Sequence, residues 1–236
     1  MKRKLFTVIP VTVIVLVALI AGIVFSINKS GFTSDVIPEE LQTVEVREYE
    51  GENLSSVNDF RENSIKGPQY VDIATYELKI TGLVEKPLSF TYEDLLEDYK
   101  HYQKAVRLDC VEGWSANILW EGMLVRDILN DVGVSPETKT VIFHAYDEYT
   151  TSFPIDFIMD NDIIMAYKMN EITMPAERGY PFQLVAESKW GYKLIKWITR
   201  IELSDNEFYQ GYWESRGYSN TGDLDKSFFD RMLSTP

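Results

Sequence analysis

The chain has 236 residues, 45% of them hydrophobic, with a formal net charge of −14 at pH 7 and one cysteine. Such a length and apolar content describe a folded chain with a substantial core and exclude a disordered one. The acidic balance argues against nucleic acid, whose phosphates are held by Lys and Arg. The lone Cys110, with only His101 and His144 beside it, excludes an internal disulfide framework and argues against a cysteine-rich zinc site.

Residues 5–27 form a run of 23 uncharged residues dominated by Val, Ile and Leu, long enough to span a bilayer. A secretory h-region is shorter, about 7–15 residues, and leads to small residues at a cleavage site. Here the run ends in Phe25-Ser26-Ile27-Asn28-Lys29. It reads as an uncleaved anchor; the alternative is a long signal peptide that is removed. Lys2, Arg3 and Lys4 keep the N-terminus cytoplasmic by the positive-inside rule. The expected protein is thus single-pass in the cell membrane, with its remaining residues extracytoplasmic. Residues 1–29 are the tip and anchor, 30–68 a polar linker that packs in part on the domain, and 69–236 the domain.

Along the domain, the alternation over 76–81 predicts a half-buried strand, broken by Gly82. Thr91 with Asp94 three residues later predicts a capped helix. Further strands are expected over 103–108, 139–145, 149–153, 163–167, 182–186 and 198–203. A short amphipathic helix is expected over 124–132, ending at Gly133. Strands outnumber helices and do not alternate with them regularly. This predicts an α+β fold with mostly antiparallel sheets and short helices, not a doubly wound parallel sheet.

Cys110 closes the strand Ala105-Val106-Arg107-Leu108-Asp109-Cys110 and precedes a turn at Gly113. Strand ends are where loops build sites. An isolated free cysteine is more often a small buried hydrophobe. As a nucleophile it would need a nearby base, and no Cys-His motif is present.

The surroundings of Cys110 change that balance. Asp109-Cys110-Val111-Glu112-Gly113-Trp114-Ser115 resembles the signature of the sulfite oxidase-like molybdopterin domain family, in the branch that includes the periplasmic methionine-sulfoxide reductase catalytic subunit. Tyr76-Glu77-Leu78-Lys79-Ile80-Thr81-Gly82 with Pro87-Leu88 is similar to the family's opening strand and turn. Trp120-Glu121-Gly122, Asp147-Glu148-Tyr149, Trp190-Gly191-Tyr192-Lys193-Leu194-Ile195-Lys196-Trp197 and Gly211-Tyr212-Trp213-Glu214 follow in the family's order, and the likeness runs over about residues 59–224. Several motifs in order are more specific than any one of them.

The resemblance implies a molybdenum–molybdopterin cofactor, with no haem, and Cys110 as the metal's thiolate ligand. Soft sulfur suits such a metal. It implies two-electron oxo transfer with a small oxo donor or acceptor, and Asp147 and Tyr149 as catalytic candidates on a strand facing the substrate side. A quinone or cytochrome is the expected membrane redox partner. Gly191, Tyr192 and Lys193 are cofactor-binding candidates, as are Lys196 and Asn63. A tight turn with a solvated Lys193, a Lys196 that snorkels beside Trp197, and a linker turn at Asn63 are the competing structural readings. Two positions depart from the family pattern. Arg178 stands where relatives carry His or Asn, and Gln183 where they carry an Arg that would grip the cofactor's anionic end. Arg178 or Lys189 would then supply that charge. If neither does, a cofactor-free binding or accessory domain on the same fold is the alternative.

Overall fold

A computed structural model describes residues 44–229. The expected anchor over 5–27 and the first part of the expected linker lie outside the described residues. Among the described residues no helix is long and apolar enough to cross a membrane.

The chain enters through the short hairpin β1 (Glu48–Tyr49) and β2 (Glu52–Asn53). It then forms β3 (Leu78–Gly82), β4 (Leu88–Phe90) and helix α1 (Tyr92–Asp98). Thr91 Oγ1 accepts from Asp94 N and Asp94 returns the bond to Thr91 N, so the capping box read from the sequence is formed. Strands β5 (His101–Asp109) and β6 (Ser115–Leu124) follow as a hairpin. Helix α2 (Val125–Val132) buries Val125, Ile128, Leu129 and Val132, an i, i+3, i+4, i+7 stripe, and stops at Gly133 with φ +72°.

Strands β7 (Thr140–Ala145) and β8 (Thr150–Pro154) form the next hairpin. Helix α3 (Ile155–Asp160), β9 (Ile164–Met169), β10 (Ile172–Thr173), β11 (Gln183–Val185) and β12 (Ile198–Ser204) complete the order.

Two five-stranded sheets result. In the first, β10, β9, β6 and β5 lie in that order, with β11 also on β9. In the second the order is β4-β3-β12-β7-β8. Only β12 with β3 is parallel among the named pairs. This is the mixed, mostly antiparallel α+β architecture expected from the sequence. Residues of both sheets, among them Leu78, Ile80, Phe143, Ile201, Ile118, Trp120 and Met165, share one buried core. Each fully buried side chain of this size contributes about 1.5–3 kcal/mol relative to exposure.

Gly122 of the Trp-x-Gly motif has a packing reason. A Cβ there would sit 2.1 Å from Met165 O, where β6 closes on β9 at a register shift.

Residues 44–58 lie on the first sheet. Ser55 N donates to Asn117 O (2.8 Å), and Asn170 Nδ2 reaches Glu45 Oε1 (2.7 Å) and Ser55 O (2.9 Å). Leu54 and Val57 are buried.

Candidate functional site

The end of β5 carries the thiol. Cys110 N donates to Trp114 O (2.9 Å) and Gly113 N to Cys110 O (3.0 Å), with Gly113 at φ +87°. The β5–β6 connection is thus a tight loop that leaves Sγ half-buried at the wall of a cavity of about 430 Å³. That volume lies within the range of small-molecule and cofactor sites.

Five other stretches converge on the same space: residues 60–67, the β7–β8 turn, the 3-10 turn Ala176–Arg178 with the start of β11, residues 191–197, and the segment carrying Trp213 and Tyr218. Of the sequence-predicted residues, Asn63, Cys110, Asp147, Tyr149, Arg178, Gln183, Gly191, Tyr192 and Lys196 all line it.

Asn63 Nδ2 lies 3.4 Å from Cys110 Sγ and points a donor at the sulfur. Burial pushes the Cys110 thiol upward, and the Asn63 bond opposes that. A metal would favour the thiolate from the same position.

Asp147 and Tyr149 sit in the connection between β7 and β8, not on a strand as expected. The reason is the Asp147 side chain, whose Oδ1 accepts from Tyr149 N (3.0 Å) and stabilises the turn. Burial raises the Asp147 carboxyl, while the Tyr149 bond and the charge of Lys196 pull it back. The Tyr149 hydroxyl donates to Tyr192 O at 2.6 Å, which braces the turn Gly191–Lys193. Burial holds that phenol well above its ordinary range.

Lys193 is not brought into the cavity. Its side chain is fully buried behind the wall, and Nζ donates to Glu214 Oε1 (2.7 Å), Ser152 O (2.7 Å) and Asn220 O (2.9 Å). The 3-10 turn rotates Gly191 and Tyr192 to the cavity and Lys193 away from it. Lys196, three residues on, does line the cavity, with Nζ on Glu62 Oε1 and over the Trp197 ring at 4.3 Å. Burial lowers its pKa and Glu62 opposes that. Gln183 is buried in the wall and donates to Leu194 O at 3.4 Å. Arg178 faces the cavity while Nε, Nη1 and Nη2 donate to the carbonyls of Val57 (2.7 Å), Arg61 (3.1 Å) and Phe60 (2.7 Å). His144 bonds Glu202 and Arg200 at 3.0 Å each, away from this space, as a structural histidine does.

Sequence reasoning missed part of the wall: Phe60, Ile65 and Glu177. Residues 60–67 read as polar linker, because nothing local marks a chain that packs by hydrogen bonds to a distant guanidinium.

The donor set suits a metal that arrives with ligands of its own. Among the described residues no group of three or more His, Cys, Asp and Glu could hold a metal ion. The cavity offers one soft sulfur, the pattern expected where a pterin dithiolene supplies the others. Ser64 Oγ, in a residue that lines the cavity, is buried with no hydrogen-bond partner among the described residues.

Comparisons with known proteins agree with this. Residues 65–213 match the family model of the oxidoreductase molybdopterin binding domain. The uncharacterized oxidoreductase YuiH of Bacillus subtilis is 32% identical over 157 residues, 66% of this chain and 78% of that protein. The protein-methionine-sulfoxide reductase catalytic subunit MsrP of Gluconobacter oxydans is 31% identical over 149 residues, 56% of this chain and 48% of that one. The crystal structure of the sulfane dehydrogenase SoxCD from Paracoccus pantotrophus superposes with a TM-score of 0.61 at 25% identity, covering 78% of this chain and 52% of that chain. The chain therefore spans about half of each of the last two. A fold, a thiol-bearing cavity and a family model covering more than half of the sequence point one way, and the chain belongs to the sulfite oxidase-like molybdopterin oxidoreductases.

Proposed function

We propose that this chain is a membrane-anchored, extracytoplasmic molybdenum–pterin enzyme that transfers an oxygen atom to or from a small sulfite- or sulfoxide-type substrate. The observation that carries this reading is Cys110: a half-buried thiol on a loop tied by two backbone bonds, facing a cavity of cofactor size. Relatives bear names such as methionine-sulfoxide reductase and sulfane dehydrogenase, and the same class of sulfur chemistry is assigned to this chain on that likeness.

When bound, the cofactor supplies two-electron oxo transfer. Cys110 Sγ would hold the metal as its protein thiolate ligand. Asn63 donates to that sulfur and withdraws charge from it. Gly191 and Tyr192 form the wall directly against the end of β5, where a Cβ on Gly191 would come within 3.1 Å of Asp109 O. Lys196, Arg178 and Arg61 are cations of the wall that an anionic cofactor tail would meet. The Asp147 carboxyl, raised by burial, holds a proton at its oxygen more readily than a solvated one. Trp114, Trp213 and Tyr218 line the space with aromatic surface.

The anchor rests on the apolar run over 5–27 and places the domain beside membrane quinones or cytochromes, which we assign as electron partners.

An oxo-transfer assay tests the reading. The full chain, made in a host that supplies the cofactor, is given dimethyl sulfoxide with a reduced dye, and sulfite with an oxidised one. At least one pair turns over, and Cys110→Ser loses more than about 100-fold, beyond the 10–100-fold usual for outer contacts. Full activity in Cys110→Ser would contradict Cys110 as the ligand.

A further inference from the structure

The mechanism leaves Arg178 only partly used. Three of its five N–H donors are spent on backbone carbonyls of one short segment, at Val57, Phe60 and Arg61. Its guanidinium also lies 3.9 Å from the centroid of the Phe60 ring. Phe60 in turn stacks on Trp114 at 5.5 Å. Trp114 is the residue whose carbonyl takes the bond from Cys110 N. Two residues beyond Arg61, Asn63 Nδ2 meets Cys110 Sγ. One side chain, only 9% exposed, thus grips the thiol's surroundings from two sides. The backbone route ends on the sulfur through Asn63, and the ring route ends on the loop that carries it.

Arg178 is itself firmly placed. It closes the 3-10 turn Ala176–Arg178, with its N on Pro175 O at 2.9 Å, and Gly179 follows at φ +117°. Adjacent Lys196 bonds Glu177 O at 3.3 Å.

We propose that Arg178 is a positioning residue of the active site: by holding the carbonyls of Val57, Phe60 and Arg61 and stacking on Phe60, it carries Asn63 onto the sulfur of Cys110. The proposal rests on the reading of Cys110 as the metal's thiolate. It explains why a long planar cation stands at this position. Three carbonyls fanned around one point match a guanidinium fork and do not match a single ammonium. A hydrogen bond to a ligating sulfur changes how much charge that sulfur gives the metal. Arg178 therefore acts on the sulfur of Cys110 through Asn63, without touching that sulfur.

The test uses the full chain and its one cysteine, so a thiol probe has a single target. Iodoacetamide is reacted with cofactor-free protein of the parent and of Asn63→Ala, Arg178→Ala and Arg178→Lys, each checked for folding by circular dichroism. In cofactor-loaded protein the Mo(V) electron paramagnetic resonance signal is recorded for the same set. The expected result is a several-fold change in the rate of Cys110 alkylation, in the same direction in all three variants, and a displaced Mo(V) signal in each. Arg178→Lys follows Arg178→Ala, because charge without the fork does not hold the segment. Should Arg178→Ala fail to fold, Asn63→Ala and Arg178→Lys decide. Alkylation rates and signals equal to the parent's would overturn the proposal. Equal alkylation of Cys110 in loaded and cofactor-free parent would instead overturn Cys110 as ligand, and the cofactor-free comparison would still decide the role of Arg178.

Discussion

Lys193 and Lys196 stand three residues apart in one motif, and their fates diverge. Both read as cations for an anionic cofactor tail. Lys196 lines the cavity, whereas Lys193 and Glu214 form a pair with both side chains fully buried. Thr151 Oγ1 adds a bond to the same carboxylate at 2.6 Å. The pair ties β8 to the segment that carries Trp213 and Tyr218. Burial lowers the Lys193 pKa and Glu214 opposes that. Removing one partner of such a pair leaves an uncompensated buried charge and costs about 3–5 kcal/mol. Lys193→Met is therefore expected to lose about that much in urea unfolding. Lys193→Met with Glu214→Leu recovers part of it, and a double variant no better than the single one would contradict the account. The sequence could not separate the two lysines. A 3-10 turn of three residues has no sustained period to tell which side faces in.

The same limit of local patterns shows at the scale of elements. Capped α1, stripe-bearing α2 and the alternating β3 were legible, since one side of each meets the core and the other meets water. Strand β6 was not, although it is the longest strand. It pairs β5 on one side and β9 on the other and is buried along most of its length, so no alternation survives. Helix α3, of six residues, was missed because it is under two turns long and has no side-chain cap. The thiol's place at a strand end was read correctly from Asp109-Cys110 and Gly113, because a turn signal needs only neighbours in sequence. Tyr149 fell one residue and Asp147 three residues short of β8, since an Asx-type bond turned a predicted strand start into a connection.

An element also supplies a pH dependence. Asp223 pairs Lys189 and Lys226, in the stretch where Trp190 N donates to Gly222 O. The bond from Lys189 holds its carboxyl well below the ordinary carboxylate range, with Lys226 adding to it. A depressed folded pKa contributes stability that is present above the unfolded value of about 3.9 and lost as pH falls through the folded one. Asp223→Asn should cost about 1.5–3 kcal/mol at pH 7, the scale of a charge-assisted hydrogen bond. The difference should shrink as the parent is acidified below pH about 4. Thermal unfolding across pH measures this; a constant difference down to pH about 2 would contradict it.

At the scale of the whole molecule, the order of the motifs carried the family and the fold, while the fates of Arg178 and Gln183 depend on packing between distant segments that no local pattern shows. Gln183 places no charge on the wall, and Arg178 spends most of its donors on the chain itself. The 23-residue apolar run predicts that the full chain sediments with membranes and that a chain lacking residues 1–29 does not. Full-length protein with Met1 intact in the soluble fraction would contradict the anchor.

The proposed function stands or falls on whether the Cys110 cavity holds molybdenum on a pterin. Its most direct measurement is the metal content of the purified full chain, made in a host that supplies the cofactor and analysed beside Cys110→Ser. The account predicts about one molybdenum per chain in the parent and a large loss in the variant, as a single coordination site requires. A folded parent without molybdenum, or a variant that retains all of it, would contradict the account.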